Sequence, residues 1–550
     1  MAGSSDRPDN NTSVKLQSQN DGDKIINVMS ICIMLIMITS LLIFTVTSYR
    51  HRFHSDAATA AMIALEQVRT GSIFVQGWYY SQDFWPMFVF NGVVLLQPIL
   101  NNAFLATQIP VLLQTICVFL LTIKLLRKIS NDNLIYVLVS FIFSGISFLW
   151  SEWFFGQGQY GNVLLWLLLG IVLIMEFMTS SGQRKSAFLL LGLFLVNFYI
   201  HTTSVRYIPM FSATVLATLL IMSFLYSTSQ ERMKFIWLGA TLFVSTFVGL
   251  GGFLWLKTHY LFLPGVVGSE IVDYGTAFQK NLPAILVGLF SLMCDPAAGL
   301  YFVSVQGIFY AYRLCLSMFI LILPAYAILH YLKHWRTTDS AERTFLVVFT
   351  LLLSLISIFS LLFTQVTVNH IAAARYMMLA IYFCLLLIPL LFYKMKPGWN
   401  IKKWILLALL PLLAFNAYSL NSQIFKTKST QEELASFLIQ EGLTTGYATY
   451  WNANVLTVMS NYRLKVYHIA DNEMKPLLFM SAAAFYQPAG DMYNFLLLTN
   501  SECQAFNFGA MKLYMGVPLK ILQYKDYKIF VYGKEFAQYL PDWKTTCHVQ

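Results

Sequence analysis

The sequence predicts an α-helical polytopic membrane protein of about eleven transmembrane helices, with a small α/β domain at its C-terminal end. Its 550 residues are 57% hydrophobic and 11% charged, whereas soluble domains carry about 25% charged residues. Apolar runs of about 20 residues recur, and a helix of that length crosses the hydrocarbon layer. After residue 420 these runs give way to polar sequence with short helix and strand patterns.

The predicted spans share the length and apolar character of membrane helices. They lie at about 25–48, 103–123, 133–150, 162–178, 187–200, 208–226, 235–256, 302–329, 345–364, 376–393 and 404–420. The first apolar run is too long for a signal peptide. Residues 1–24 are rich in Ser, Asn, Asp and Gln, which predicts a disordered cytoplasmic tail.

Basic residues concentrate in alternate connectors, and this pattern sets the predicted orientation because cytoplasmic loops are enriched in Lys and Arg. The basic connectors hold Lys124, Arg127 and Lys128; Arg184 and Lys185; Arg232 and Lys234; Lys333, Arg336 and Arg343; and Lys394, Lys396, Lys402 and Lys403. The first loop, 49–102, and the C-terminal segment, 421–550, are therefore expected on the outer side. The net charge of +10 is explained by these clusters and does not indicate nucleic-acid binding.

Residues 257–301 form an unusually long outer connector with a short apolar segment at 282–294. That segment is too short to span easily, so it is predicted to be interfacial or re-entrant. The alternative is a pair of spans.

The C-terminal segment is predicted to be an α/β domain. Helices are expected at 429–442 and 451–460, and strands at 446–450, 464–470, 512–516, 521–525 and 528–533. Cys503 and Cys547 are the cysteines of this segment. They could form a disulfide in an oxidising compartment, or remain free thiols.

Ionisable residues at the outer edge of the membrane are the candidate functional groups, because charge is costly there. Asp56, just after the first span, is a carboxylate of the type that acts as a general base. It also precedes a helical pattern, so the alternative role is an N-cap. Glu152 and Asp83 could contact an acceptor or a metal ion, and Glu152 could bind a divalent cation together with Asp56. The alternative for Glu152 is a surface side chain that extends to the headgroup region.

Cationic side chains near the outer edge suit a phosphate, because the guanidinium forms bidentate charged hydrogen bonds. Arg375 and Arg206 each begin a span, and His370 and His201 lie nearby. The alternative is contact with lipid headgroups. An aromatic cluster in the first loop suits stacking on sugar rings, or an interfacial belt; it comprises Trp78, Tyr79, Tyr80 and Trp85.

The chain carries no phosphate-binding or dinucleotide glycine loop, no HExxH and no GxSxG. No predicted cytoplasmic segment is large enough to bind a nucleotide sugar, so any sugar donor is expected to be lipid-borne and to reach the protein from the membrane.

Several segments together resemble the GT-C superfamily of membrane glycosyltransferases, which use polyprenyl-phosphate sugars. The stretch SDAATAAMIALEQVRTGSIFVQGWYYSQDFWPM resembles the family's first loop, with Asp56 at the position of its catalytic acid. FSLMCDPAAGLYFVSVQ resembles a recurrent segment before a late span, HIAAARYMM resembles the Arg-Tyr entry near the donor phosphate, and YWNANVLTVMSNYRLKV resembles outer domains of bacterial members. Many members have Asp-Glu in the first loop, whereas Ala57 follows Asp56 here, which puts a metal in doubt.

The resemblance implies an inverting glycosyltransferase of the bacterial inner membrane. Asp56 would deprotonate the acceptor on the periplasmic face, and Arg375 with Arg206 would stabilise the departing polyprenyl phosphate. The expected acceptor is an envelope glycan or glycolipid, with lipopolysaccharide O-antigen or lipid A preferred. The alternatives are a lipid-linked glycan flippase or transporter, which predicts charges near the middle of spans, and a glycan polymerase or ligase.

Overall fold

The computed structural model describes residues 10–84, 92–226, 228–262, 270–294, 301, 303–333, 340–365, 370–395, 399–470, 472–488, 490, 494–509, 511–540 and 543. These residues form a large helical region followed by a small sheet domain. The predicted helical class with a small sheet near the C-terminus is thereby confirmed, and the apolar helices are consistent with a polytopic protein.

The helical region is built from long apolar helices joined by short ones. In chain order they are α1 (Asn10–Val46), α2 (Ser55–Thr70), α3 (Val93–Leu100), α4 (Ala103–Ile129), α5 (Leu134–Ser140), α6 (Phe148–Ser151), α7 (Gln159–Thr179), α8 (Gln183–Thr203), α9 (Ala213–Leu225), α10 (Ser229–His259), α11 (Tyr274–Thr276), α12 (Leu282–Met293), α13 (Val305–Lys333), α14 (Ala341–Leu362), α15 (His370–Leu385), α16 (Ile388–Met395) and α17 (Trp399–Asn421). Helix α1 begins at Asn10, where the sequence predicted a disordered tail.

Within the described residues, nine helices are long and apolar enough to cross a membrane. The predicted span at 133–150 is instead a pair, Leu134–Ser144 and Phe148–Gly156, bent by 86°. The predicted span at 376–393 corresponds to the shorter apolar helix Arg375–Leu391. The eleven predicted spans therefore become nine full-length helices, one bent pair and one short helix.

The bend is stabilised by polar groups that replace the missing helical hydrogen bonds, as irregular backbone in a membrane requires. Ser147 has extended backbone angles and its hydroxyl accepts from the Trp150 N–H. The same hydroxyl donates to the Leu292 carbonyl over 2.6 Å. Arg313, buried in α13, donates to the Ile146 carbonyl over 3.3 Å. The bend directs the chain into a π-helical turn, Glu152–Gly156, which leads to the candidate site.

Helices α8 and α10 pack closely through glycine and a buried polar network. Asn197 donates to Ser245 and Thr246 of α10, and His201 shares a 2.6 Å hydrogen bond with Ser212. A methyl group on Gly249 would lie 2.7 Å from the Phe198 carbonyl oxygen. Helix α8 ends at Thr203, just before the segment that carries Arg206.

The C-terminal domain contains a five-stranded mixed sheet. Two short strands, β1 (Trp78–Tyr79) and β4 (Ser481–Ala482), pair separately and join the first loop to this domain. The main sheet has the order β3 (Lys465–Ile469), β2 (Thr445–Thr449), β5 (Asn494–Thr499), β7 (Tyr527–Tyr532) and β6 (Lys520–Tyr524). The pairs β2–β3 and β2–β5 are parallel, and β7 runs antiparallel to both of its neighbours. The accompanying helices are α18 (Thr430–Gln440), α19 (Tyr450–Met459), α20 (Asn500–Ala505) and α21 (Phe536–Tyr539).

Most elements predicted for this domain are present, but two predictions fail. The predicted strand at 512–516 is a π-helical turn, Met511–Met515. The strand β5 was missed, although it is the central strand of the sheet. Its apolar run is buried on both faces and therefore lacks the alternation that identifies a half-buried strand.

Gly249→Ala should destabilise the protein because the added methyl group meets the backbone of α8 as well as the Cβ atom of His201. Overpacking of this kind costs about 1–3 kcal/mol. The matched control is Gly251→Ala on the same helix, where the methyl group would meet nothing within 4 Å. Thermal unfolding of the purified protein in detergent should show a lower melting temperature for the first variant alone. Equal melting temperatures would contradict this packing.

Candidate functional site

Asp56 lies in the first turn of α2 and accepts two side-chain hydrogen bonds. The Tyr450 hydroxyl donates to its Oδ1 over 2.7 Å, and the Gln157 amide donates to its Oδ2 over 3.2 Å. The helix begins at Ser55, and the preceding His54 makes no side-chain cap bond. The interpretation of Asp56 as an N-cap is therefore wrong. Its carboxylate is half-buried and held by groups from two other parts of the chain.

Tyr450 reaches Asp56 from the C-terminal domain. It is the first residue of α19 and directly follows β2, so it lies at the carboxyl end of a parallel strand. Its ring packs edge-on against His468 and Phe479. Burial, and then the charge of Asp56, raise the pKa of Tyr450 well above its ordinary value. The phenol therefore stays protonated and acts as a hydrogen-bond donor to the carboxylate.

The tight turn Gln157-Gly158-Gln159 supplies the second contact with Asp56. Gly158 has a φ of +84°, which favours glycine. Gln114 of α4 donates to the Gly158 carbonyl over 2.8 Å and so fixes the turn. Gln159 donates to the backbone carbonyl of Asp56 over 3.4 Å. One turn thus contacts both the side chain and the main chain of Asp56.

His54 and Glu152 lie beside this centre. The His54 Nε2 is 3.7 Å from a Glu152 carboxylate oxygen. Burial lowers the pKa of His54, while Asp56 raises it and Arg375 lowers it further. The imidazole is therefore neutral near pH 7, and its contact with Glu152 is not an ion pair of two full charges. The His54 ring also approaches Trp451, with ring centroids 6.1 Å apart.

Arg375 lies over the face of Trp153, with Cζ 5.1 Å from the ring centroid. Its Nε is buried and has no hydrogen-bond partner among the described residues. The charges of Arg375 and Asp56 both shift the pKa values of His54 and Tyr450, so all four side chains lie close together. The structure therefore brings Asp56, Glu152 and Arg375 to one place. The side chain of His370 lies outside the described residues.

Arg206 and Asp83 bind each other rather than separate ligands. A guanidinium nitrogen lies 2.5 Å from an Asp83 carboxylate oxygen. They line a small cleft of about 10 Å³ with Gln159, Tyr160 and Ser204. Because the charge of Arg206 is already balanced, its predicted role in phosphate binding is not supported. The same holds for Asp83 as a metal or acceptor ligand.

The predicted phosphate-binding role of His201 is also not supported. The side chain is fully buried between helices and bonded to Ser212, so it cannot reach a phosphate at the membrane edge. The sequence placed it in a loop, whereas α8 continues to Thr203 and encloses it.

The predicted sugar-stacking aromatics are mostly packing residues. Trp78 and Tyr80 are fully buried; Trp78 packs on Phe485, and Tyr80 stacks on Phe84 with centroids 4.7 Å apart. Rings enclosed in this way present no face to a sugar. Tyr79 is half-buried in β1, and Trp85 lies outside the described residues. Trp451, which is 54% exposed, has an open aromatic ring beside His54.

Neither the metal nor the disulfide prediction gains support. In the part of the chain that the structure describes, no group of three or more His, Cys, Asp or Glu side chains is placed to hold a metal ion. Cys503 is half-buried in α20. Cys547 lies outside the described residues, so its pairing with Cys503 stays a prediction.

Four residues that the sequence did not single out define the local geometry: Tyr450, Gln157, Gln114 and Arg313. The charged candidates stood out in the sequence because a charge is costly in a membrane. Neutral side chains such as Tyr450, Gln157 and Gln114 do not stand out in this way. Gly158, which follows Gln157, is a signal for a turn that the sequence does contain. Arg313 is a charge within a predicted span and could have been noticed on that ground.

Comparison with known proteins finds no family model that matches the chain, and no curated protein that matches it.

Asp83→Asn should destabilise the protein, because it leaves the Arg206 guanidinium without its counter-charge. Breaking a buried pair costs roughly 3–5 kcal/mol, and we expect about 2–3 kcal/mol here because Arg206 is 31% exposed. The control is Glu473→Gln, which removes an exposed ion pair with Lys475 worth about 0–1 kcal/mol. A melting temperature of Asp83→Asn equal to that of the control would contradict this assignment.

Proposed function

We propose that this protein is an inverting glycosyltransferase that moves a sugar from a polyprenyl-phosphate donor to a glycan acceptor at the membrane surface. The observation that carries the proposal is the half-buried Asp56 carboxylate, oriented by Tyr450 and Gln157, with Arg375 in electrostatic range. A base and a phosphate-binding cation in one membrane-edge site are the two groups that this reaction needs.

Asp56 is suited to deprotonate an acceptor hydroxyl. A carboxylate offers about four lone-pair positions on two oxygens. Tyr450 and Gln157 occupy one position on each oxygen, which leaves capacity to accept a proton. Their contacts also fix the orientation of the carboxylate, and fixed geometry is a large part of the advantage of a positioned base.

Arg375 is suited to the leaving phosphate. Stacking on Trp153 holds the guanidinium plane, and its buried Nε has no partner among the described residues. A phosphate would supply acceptor oxygens in a geometry that the guanidinium matches. A departing phosphate needs charge stabilisation more than protonation, which agrees with a cation rather than a second acid at this point.

A lipid-borne donor agrees with the surroundings of the site. Long apolar helices indicate a membrane-embedded protein, so an isoprenoid chain would reach the site from the bilayer.

The reaction is a single displacement. The acceptor oxygen forms a bond to the anomeric carbon as its proton passes to Asp56. The bond between that carbon and the phosphate oxygen breaks, and its electron pair leaves with the polyprenyl phosphate beside Arg375. The products are an inverted glycoside and polyprenyl phosphate, and Asp56 then returns its proton to solvent. The acceptor class that we favour is an envelope glycan on the periplasmic face of a bacterial inner membrane, with lipopolysaccharide preferred.

The test is transfer from radiolabelled polyprenyl-phosphate sugars in membranes that contain the protein at matched expression. Asp56→Asn should lower transfer by at least about 100-fold, because general-base catalysis contributes roughly 10²–10⁴. Arg375→Gln should also lower it, with partial recovery in Arg375→Lys, which restores charge without the planar guanidinium.

The control is Glu433→Gln, an exposed carboxylate of α18 that pairs with Lys525 and lies outside the site. It should transfer like the wild type. Full activity of Asp56→Asn would remove Asp56 from catalysis. Absence of donor consumption by the wild type across several donor sugars would contradict the glycosyltransferase function.

A further inference from the structure

A second polar centre lies at the other end of α7, where three lysines surround one carboxylate. Lys124 and Lys128 of α4 are each 3.3 Å from Oε1 of Glu176, and Lys185 of α8 is 3.8 Å from Oε2. Glu176 itself is 21% exposed. Three positive charges against one negative charge leave an excess of two. Glu176 is 17 positions after Gln159, which corresponds to about 26 Å of helix, so this centre is separate from Asp56.

The carbonyl groups at this end of α7 are already occupied. Lys234 of α10 donates to the carbonyls of Met178 and Ser180, each over 2.8 Å. The negative end of the α7 dipole is therefore neutralised by a fourth lysine and cannot balance the other three. The excess positive charge is available to an external anion, since Lys124 and Lys185 are 52% and 62% exposed.

A half-exposed face of α7 ends at Glu176 and its surrounding lysines. Helix α7 is mostly buried, but Trp166, Leu169, Leu173 and Glu176 are partly open at helical spacing. Glu176 is ten positions after Trp166, so the face is about 15 Å long, which is the depth of one leaflet of a hydrocarbon layer of about 30 Å.

The neighbouring helices border this face with exposed apolar side chains. On α4, Leu120 lies one turn before Lys124 and is 58% exposed, and on α8, Phe188 and Leu191 are exposed. Gly192 of α8 faces Leu173 without a side chain of its own, which widens the space over the α7 face.

We propose that Glu176 and its lysines form the headgroup site of an anionic phospholipid, whose acyl chain lies along the half-exposed face of α7. The phosphate would bind Lys124 and Lys185, and the chain would contact Leu169, Leu173 and the space beside Gly192. Basic pockets between membrane helices are typical sites for anionic headgroups. A preference for basic loops on one side of the membrane explains lysines at this end, but not their convergence on one carboxylate beside an apolar face.

The test titrates phosphatidylglycerol into the purified full-length protein in detergent and counts bound lipid by native mass spectrometry. Phosphatidylglycerol should bind saturably, and phosphatidylcholine of the same chains should bind much more weakly. The double variant Lys124→Gln/Lys185→Gln should weaken binding by roughly 30-fold, which is the ratio for two basic residues at about 1 kcal/mol each. Lys128 still pairs with Glu176 in this variant.

The charge-matched control is Lys465→Gln/Lys512→Gln, which removes two exposed lysines of the C-terminal domain and should leave lipid binding unchanged. Gly192→Leu tests the groove without altering charge: it should weaken phosphatidylglycerol binding while the melting temperature without lipid stays unchanged. Its control is Gly239→Leu, a half-exposed glycine of α10.

Three results would overturn the proposal. Equal binding of phosphatidylcholine would mean that the charge has no role. Displacement of the lipid by millimolar inorganic phosphate would mean a site for a free anion. Unchanged binding in both test variants would place the lipid elsewhere. None of these results depends on sugar transfer, so the proposed function and this site can fail separately.

Discussion

The hydrogen bond between Tyr450 and Asp56 is the contact on which the arrangement of the candidate site depends. It joins residues 394 positions apart and connects the C-terminal domain to the first helix after the first span. The short β1–β4 ladder strengthens the same connection, because it pairs the first loop with the domain. The site is therefore assembled from two regions of the chain that are distant in sequence, and neither region contains it alone.

The bent helix pair and the turn that follows it place side chains near Asp56. The bent pair that replaces a straight span carries Glu152 and Trp153 and ends in the turn at Gly158. Arg313 donates to the Ile146 carbonyl at the bend, and Gln114 donates to the Gly158 carbonyl at the turn. Ser147 joins the bend to α12 through the Leu292 carbonyl.

The sequence predicted the helical class because apolar runs of membrane length are a strong and local signal. It also identified Asp56, Glu152 and Arg375, since charge at a membrane edge is costly and stands out. It could not pair Arg206 with Asp83, because that contact is set by the packing of the first loop on the helix ends. It took Trp78 and Tyr80 for binding residues, because an aromatic side chain that packs and one that binds sugar look the same in sequence.

The central claim is that Tyr450 of the C-terminal domain holds the Asp56 carboxylate. A double-mutant cycle on thermal unfolding tests it with Tyr450→Phe, Asp56→Ala and the combination in the full-length protein. A hydrogen bond to a charged group contributes about 1.5–3 kcal/mol, so the two substitutions should be non-additive by roughly that amount. Additive effects of the two substitutions would contradict the claim.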